Sequence, residues 1–311
     1  QPPTDPNADL SRGIPQPNAG ANADPNAAPN AGSNAGPAGG ANATGSLPGG
    51  DRELQRVFVH GSVTPQKLYV GQQAIVTWQL YTQSDVLGYQ TMRQPSTDHF
   101  WSEDLESPRR LQFEQQILRG QVYYAAVLSR KALFPQRVGK LVVGPLGAQL
   151  RTLDQFITNA LTRESLELPV EVLPLPAKGR PAGFVDAHVG QFEMAASLDR
   201  TTINAGDAVT LKVVVRGAGN LRQLKFELPA LPGFKRYEPK ITERLQFDQG
   251  VSGEKTFEFL LMPMQGGTLR LPALYLDFFD PGAAQYRRAS SDQLSLTVVG
   301  RVPVEMSVAD S

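Results

Sequence analysis

Apolar and polar residues alternate along many stretches of this 311-residue chain, and this alternation constrains the fold more than any other feature. The pattern is clear at residues 76–81, 192–198, 211–216 and 294–299. A period of two places apolar side chains on one face of a β-strand and polar ones on the other, as in half-buried antiparallel sheets. Glycine- and proline-rich turns separate these stretches at short intervals, which is typical of sandwiches. The sequence therefore predicts an all-β protein.

Two pieces of sequence recur in the same order, which indicates an internal repeat. The stretch at 68–78, a glycine turn followed by an alternating strand, is echoed 135 residues later at 203–213. Phe134-Pro135, followed by a glycine turn, returns 128 residues later as Met262-Pro263. Because proline cannot donate to a central ladder, each of these prolines is expected to end a strand. Two tandem immunoglobulin-like β-sandwiches on one plan are the economical interpretation.

Composition divides the chain into five segments. Residues 1–52 are rich in Pro, Asn, Ala and Gly, and their few large aliphatic side chains predict a disordered N-terminal tether. The first sandwich is predicted at 53–176 and the second at 186–300, with a C-terminal tail at 301–311. The proline-rich linker at 177–185 is expected to be stiff and to hold the sandwiches in a limited range of angles.

One stretch has helical spacing. Its apolar residues fit positions i, i+3, i+4, i+7 and i+8 over about two turns: Leu153, Phe156, Ile157, Ala160 and Leu161. A short helix and an irregular loop that packs two hydrophobic side chains are both compatible with this pattern.

Charge and cysteine content exclude several classes of function. Lys+Arg and Asp+Glu both number 30, so the formal net charge is zero, and there is no cysteine. The balanced charge argues against a nucleic-acid binder that works by neutralising phosphates. The lack of cysteine excludes thiolate zinc sites, disulfides and cysteine nucleophiles. Core packing alone must therefore hold the sandwiches together, without the inter-sheet disulfide of antibody domains.

The sequence carries no enzyme signature. Its three histidines stand singly, and neither a Gly-x-Ser-x-Gly elbow nor a phosphate-binding glycine loop occurs. Glu103, Asp104 and Glu106 resemble the paired carboxylates of glycosidases, but two arginines follow them, which favours a solvated, ion-paired loop. Asp277 and Asp280 lack the density of oxygen ligands that calcium requires. We therefore predict a non-enzymatic protein without a metal or cofactor.

Adjacent aromatic residues occur three times, as Phe100-Trp101, Tyr123-Tyr124 and Phe278-Phe279. In a strand, one member of each pair faces the core and the other faces outward. An outward ring either anchors a partner or is covered by a loop or by the other sandwich, and both interpretations stay open. Exposed rings at Trp101, Tyr123 or Tyr124 would also suit a platform for carbohydrate.

Several short motifs follow one another in a characteristic order over about residues 55–300. They are Tyr69-Val70-Gly71-Gln72, Phe100-Trp101, Ala132 to Pro135 before Gly139-Lys140-Leu141, Leu173-Pro174-Leu175-Pro176, Gly219-Asn220-Leu221, Leu228-Pro229 with Phe234 to Pro239, Pro263 to Pro272, and Phe279-Asp280-Pro281-Gly282. In their order and spacing, these motifs resemble the BatD family of bacterial oxygen-tolerance (aerotolerance) proteins.

This resemblance implies periplasmic immunoglobulin-like domains, with a signal peptide and a C-terminal membrane anchor that we expect to lie outside this sequence. It also implies protein partners, namely von Willebrand A-domain membrane proteins, encoded together with a MoxR-type AAA+ ATPase. We therefore expect a non-enzymatic, envelope-exposed interaction module that serves stress or oxygen tolerance. The alternative is a carbohydrate-binding or adhesin-like β-sandwich module.

Long or glycine-rich connections at the predicted sandwich ends are the candidate partner-binding loops. They cover residues 98–110, 217–221 and 231–237. The candidate residues within them are Phe100, Trp101, Glu103, Arg109, Asn220, Phe234 and Tyr237.

Overall fold

The computed structural model of the chain describes residues 56–105, 110–154 and 156–301. The predicted tether at 1–52, nearly all of the predicted tail at 301–311 and the candidate residue Arg109 lie outside the described residues. The described elements are 21 strands, which confirms the all-β prediction. Within the described part of the chain, no helix is long and apolar enough to cross a membrane.

The first eleven strands pair only with one another and form what we call the N-terminal sheet group. They are β1 (Val57–Thr64), β2 (Lys67–Tyr69), β3 (Ala74–Thr82), β4 (Asp85–Arg93), β5 (Phe100–Asp104), β6 (Glu114–Leu118), β7 (Gln121–Pro135), β8 (Gly139–Val143), β9 (Gly147–Asp154), β10 (Ile157–Glu164) and β11 (Leu168–Leu173).

The remaining ten strands form the C-terminal sheet group. They are β12 (Gly190–Leu198), β13 (Thr202–Asn204), β14 (Val209–Gly219), β15 (Phe234–Arg236), β16 (Lys240–Gln246), β17 (Ser252–Pro263), β18 (Gly267–Leu271), β19 (Tyr275–Asp280), β20 (Gln285–Ser290) and β21 (Leu294–Val299).

The two groups share a strand order. In the N-terminal group the main sheet is ordered β1-β3-β7-β5, and β6 also pairs with β7. The smaller sheets of this group are β2-β11-β8 and β10-β9-β4. In the C-terminal group the main sheet is ordered β12-β14-β17-β15, with β16 also on β17, and the smaller sheets are β13-β21-β18 and the β19–β20 hairpin. The two small sheets β2-β11-β8 and β13-β21-β18 each contain one parallel pair. The sequence echo at 68–78 and 203–213 therefore falls on equivalent strands, β2–β3 and β13–β14.

Each group has its own apolar core. Trp78 and Leu80 of β3 pack with Leu150 of β9 and Val170 of β11 in the N-terminal group. In the C-terminal group, inward side chains of β14 pack with those of β17, β18 and β21. The segment boundaries expected from the sequence and the division into two independently folding domains stay predictions.

The helical spacing at 153–161 does not produce a helix, and neither the helix nor the irregular loop is correct. β9 and β10 form a hairpin in which Leu161 pairs with Leu150 and Thr158 pairs with Leu153. Phe156 lies at the hairpin tip with its side chain exposed. The apolar residues that mimic a helical stripe are thus split between the two strands and the turn, and strand pairing decides their conformation.

Candidate functional site: a joint, an open sheet edge and an aromatic groove

The two sheet groups meet at an apolar contact that we call the joint. The turn between β16 and β17 brings Val251 and Phe247 against the outer face of the N-terminal main sheet. The partners on that face are Ile75, Leu105, Ala132 and Phe134.

Two hydrogen bonds fix the same turn of the joint. The backbone N–H of Val251 donates to Oε1 of Gln73 at 2.7 Å. The guanidinium of Arg130 donates through Nη1 to the backbone oxygen of Asp248 at 2.8 Å. Buried apolar side chains and directed hydrogen bonds together hold the turn in one position on the sheet.

A chain of charges runs beside the apolar contact. Glu103 of β5 accepts from Nε of Arg222 at 2.7 Å, and Arg222 lies 3.7 Å from Glu243 of β16. Glu243 in turn pairs with Nζ of Lys255 at 2.9 Å. Lys255 is buried and also donates to the backbone oxygen of Arg222 at 2.8 Å. Four alternating charges therefore connect the two sheet groups.

An open groove of about 350 Å³ lies at the other end of the C-terminal main sheet. Phe226 and Phe259 form its buried floor, and Tyr237 is half-exposed at its rim. Arg236 lines the groove too, but its guanidinium donates to the backbone oxygens of Leu228 and Pro229.

Two carboxylates complete the lining of this groove. Glu227 and Glu238 are exposed, and neither pairs with a cation among the residues that the structure describes. An aromatic floor with unpaired carboxylates at the rim suits a ligand that has one apolar and one positively charged group.

Strand β16 leads away from the groove and forms an open edge of the main sheet. It pairs with β17 in an uninterrupted register from Lys240 to Gln246, and no described strand pairs with its other edge. Its seven residues include no proline. The edge strand β4, by contrast, is interrupted by register shifts near Val86 and Thr91, which discourage pairing with another chain.

His188 is buried beside the linker and is held as a neutral imidazole. Its Nδ1 donates to the backbone oxygen of Asp277 at 3.1 Å, and its Nε2 accepts from the backbone N–H of Lys225 at 3.4 Å. A second proton, on Nε2, would point at the N–H group of Lys225 and break this hydrogen bond. Burial lowers the pKa of His188, and the contacts with the backbone of Asp277 and Lys225 and the charge of Asp277 oppose this shift only in part.

We expect His188 to make the stability of the protein fall in acid. The unfolded imidazole binds a proton below its ordinary pKa of about 6.5, whereas the folded imidazole resists protonation. The unfolded state therefore holds more protons, and the free energy of unfolding decreases as the pH falls from about 6.5 through the lowered folded pKa. Urea titrations at pH 8 to 5 should show a steeper loss for the wild type than for His188→Gln. Equal slopes for the wild type and His188→Gln would contradict this role of His188.

The candidate loop around Phe100 is not a loop. Phe100, Trp101 and Glu103 lie in strand β5, whose residues pair with Pro135 to Lys131 of β7. Glu103 also accepts from Nε1 of Trp101 at 3.0 Å, so this carboxylate belongs to the joint. The charged and aromatic composition of the segment suggested a loop, but the segment is an edge strand whose outer face is partly covered by the C-terminal group.

The remaining candidates lie in two places. Asn220 is buried beside the joint, where its side chain bonds to Gln223. Phe234 lies in β15 and Tyr237 lies just beyond it, at the groove. The structure thus brings Glu103 and Asn220 to the joint and leaves Phe234 and Tyr237 at the opposite end of β17. Whether any of these residues binds a partner stays a prediction.

The adjacent aromatic pairs differ in which of their two rings is buried. Tyr123 is buried and Tyr124 is exposed, as expected for neighbours in a strand, but Phe278 and Phe279 are both buried. Phe279 packs edge-on against Tyr69 at 4.8 Å between ring centroids, so the N-terminal group covers it.

No single aromatic platform for carbohydrate forms from Trp101 and Tyr124. Trp101 pairs with Phe134, which lies ten residues from Tyr124 along β7. At 3.3 Å per residue, these two positions are about 33 Å apart. The third ring considered, that of Tyr123, is buried.

Glu106 lies outside the described residues, and the other carboxylates singled out in the sequence are engaged by cations. Asp104 pairs with Lys131 at 2.5 Å, and Asp277 forms a two-point contact with Arg288. Asp280 lies 3.3 Å from Arg287 and also accepts from the backbone of its own Asp-Pro-Gly turn. No group of three potential metal-ligating residues occurs within the described ranges.

Sequence reasoning missed several residues of these surfaces, including Arg222, Glu243, Phe226 and Glu227. The sequence offered one signal of a buried charge, at Lys255. This lysine occupies the next inward-facing position of β17 before Phe257, Phe259 and Leu261. An inward lysine needs a buried partner, which the sequence could not identify.

Comparison with protein families supports the resemblance drawn from the sequence motifs. Residues 196–298, from β12 to β21, match the family described as "BatD DUF11 like domain". The match confirms the BatD resemblance over these residues. No curated protein matches the sequence.

Comparison with solved structures returns proteins of low sequence identity. The C-terminal domain of the Streptococcus agalactiae AgI/II polypeptide BspA is 9% identical, covers 77% of this chain and 99% of its own, and has a TM-score of 0.23. Domains 4 and 5 of the S-layer protein SbsC are 12% identical, cover 79% of this chain and 100% of their own, and have a TM-score of 0.21. The Yersinia pseudotuberculosis adhesin InvE is 11% identical, covers 76% of this chain and 58% of its own, and has a TM-score of 0.19. Scores at this level support no inference about function.

Proposed function

We propose that this chain, whose residues 196–298 match the BatD DUF11-like domain, is a non-enzymatic interaction module of the cell envelope. It binds a protein partner along the open edge β16 of its C-terminal main sheet. By the family resemblance, the partner is a von Willebrand A-domain membrane protein that acts with a MoxR-type ATPase in stress or oxygen tolerance.

The observation that carries this proposal is the unprotected edge at β16. An edge strand with free N–H and C=O groups pairs readily with an extended segment of another chain. β16 offers seven residues in continuous register, without a bulge or a proline. Strand addition at this edge would extend the sheet within the BatD-matched residues.

The groove gives the added strand an anchor. Tyr237 and Pro239 connect β15 to β16, so the groove opens at the start of the free edge. A side chain of the partner that packs over the floor formed by Phe226 and Phe259 would bury apolar surface, and such central anchors dominate the affinity of many interfaces.

The rim of the groove sets the charge of the partner segment. Glu227 and Glu238 are exposed and unpaired in the described part of the chain, so a Lys or Arg next to the apolar anchor is favoured. We therefore propose a partner segment that is extended and combines an apolar residue with a basic one.

The engagement of the acidic residues supports a non-catalytic role. Glu103, Asp104 and Asp277 all pair with Arg or Lys, which leaves them poorly suited to act as a matched acid and base. Their local function is to stabilise the sheets and the joint.

Reversal of charge at the groove tests the proposal. We expect Glu227→Lys with Glu238→Lys to reduce the recovery of the A-domain protein at least about tenfold in purifications from detergent-solubilised envelope at native expression. The matched control, Glu167→Lys with Glu193→Lys, makes the same change of charge at exposed sites away from the groove. Equal losses in the two variants, or no A-domain protein with the wild type, would contradict the proposal.

A further inference from the structure

The hairpin turn that fills the joint has an exposed counterpart in the N-terminal group. Thr82 of β3 pairs with Tyr124 of β7, and the equivalent Gly217 of β14 pairs with Gly253 of β17. Val122 and Val251 each lie two residues before these partners, so they occupy equivalent positions. On the opposite strands of the two hairpins, Gln116 and Gln246 have equivalent pairing partners. Ile117 and Phe247 directly follow them and are therefore equivalent too.

The two hairpins differ in what covers them. Val251 is buried in the joint and Phe247 packs against it. Ile117 and Val122, which pair directly with each other, are 62% and 43% exposed. We call this exposed pair, with the intervening turn, the tip.

The surface that receives the hairpin in the joint also has an exposed counterpart. Ala132 pairs with Ile75 as Leu260 pairs with Thr210, so Leu260 stands where Ala132 stands in the other sheet. Ala132 is fully covered by the joint, whereas Leu260 is 43% exposed on a sheet face whose neighbours are Lys212 and Glu258.

Further residues extend this receiving surface. Met262 corresponds to the buried Phe134, because Met262 pairs with Lys235 as Phe134 pairs with Trp101. Tyr237 donates its backbone N–H to Leu260 and occupies the position of Glu103. We call Leu260, Met262 and Tyr237 the strip.

Charges at the tip and the strip are complementary. In the joint, Arg130 of the receiving sheet donates to the backbone of Asp248 in the turn. At the free surfaces, the receiving position equivalent to Arg130 is Glu258, and the turn of the tip carries Arg119. Arg130 contacts a backbone oxygen in the joint, whereas Glu258 and Arg119 carry opposite charges, which favours contact between two copies.

We infer that the tip of one molecule docks on the strip of another and repeats the joint between copies of this chain. The tip and the strip are different surfaces on different sheet groups, so the contact is heterologous and leaves one free tip and one free strip after each addition. Such contacts produce open chains when the rotation does not close into a ring. This inference does not depend on the identity of the A-domain partner.

Sedimentation velocity on the 311-residue chain tests the inference from about 1 µM to about 1 mM, the range in which small, transient interfaces dissociate. We expect the average mass to rise with concentration beyond that of a dimer. Ile117→Glu with Val122→Glu, and separately Leu260→Glu, should each raise the apparent dissociation constant at least about tenfold.

Mixing the variants separates a heterologous contact from other modes of association. The tip variant retains its strip and the Leu260 variant retains its tip, so an equimolar mixture should form a dimer and nothing larger. The control Leu166→Glu, at an exposed aliphatic residue away from both surfaces, should associate as the wild type does. A wild type that is monomeric at all concentrations, or a mixture that does not dimerise, would overturn the inference.

Discussion

Replacement of Trp78 by Ala should lower the free energy of unfolding by about 3–5 kcal/mol, the range for truncation of a large aromatic ring in a core. Trp78 is fully buried in the centre of β3, and it contacts the N-terminal core on one face of the main sheet. Its ring lies so close to Gly61 that a Cβ there would approach it to 3.2 Å. Ala would leave a cavity that the surrounding strands, fixed by their ladders, fill only in part. Urea denaturation followed by far-UV circular dichroism measures the change.

Trp78→Phe separates the packing of the ring from its polar group. The indole Nε1 is buried and has no hydrogen-bond partner in the structure as described, so its removal relieves a desolvated donor. We expect Phe to cost less than about 2 kcal/mol, because it keeps most of the apolar volume. A cost equal to that of Ala would contradict this account of the site.

Substitution of Glu243 by Ala should destabilise the protein by about 2–4 kcal/mol, because it leaves a buried lysine without its carboxylate. Lys255 is almost fully buried, and Glu243 is the carboxylate within 2.9 Å of its ammonium group. Glu243 itself is partly exposed, which places the expected loss below that of a fully buried pair. Equilibrium unfolding in urea measures the loss.

A double variant checks the cause of this loss. Glu243→Ala with Lys255→Met removes both charges, so it should be more stable than Glu243→Ala alone. Glu103→Gln provides a comparison, since its partner Arg222 is 43% exposed and the loss of this pair should cost about 1 kcal/mol or less. A double variant that is less stable than the single one would contradict this cause and would show that the hydrogen bond from Lys255 to the backbone oxygen of Arg222 outweighs the cost of the unpaired charge.

Local alternation in the sequence was sufficient to predict an all-β protein. Val76, Trp78 and Leu80 face one core because every second side chain of a strand points the same way. The same logic failed at Leu153 to Leu161, where a hairpin distributes residues with helical spacing over two strands. The periodicity of a sequence does not show which residues pair with each other across a turn.

The candidate surfaces were less predictable, because they depend on pairings between distant segments. Glu103 and Arg222 are 119 residues apart, and nothing local to either indicates their contact. Tyr237 was singled out as a loop residue, and the structure places it at the groove and the strip. Phe226 lies on the segment between β14 and β15 and Phe259 lies in β17, so the floor of the groove forms only when these separate segments pack together.

The central claim is that a partner adds to the sheet along β16. Hydrogen–deuterium exchange on the chain, alone and in complex with the co-purified A-domain protein, tests it directly. The claim predicts slower exchange of amides from Lys240 to Gln246 in the complex, because strand addition would hydrogen-bond N–H groups of this edge that are open in the free chain. Unchanged exchange in β16, with slowing confined to another edge such as β4, would contradict it.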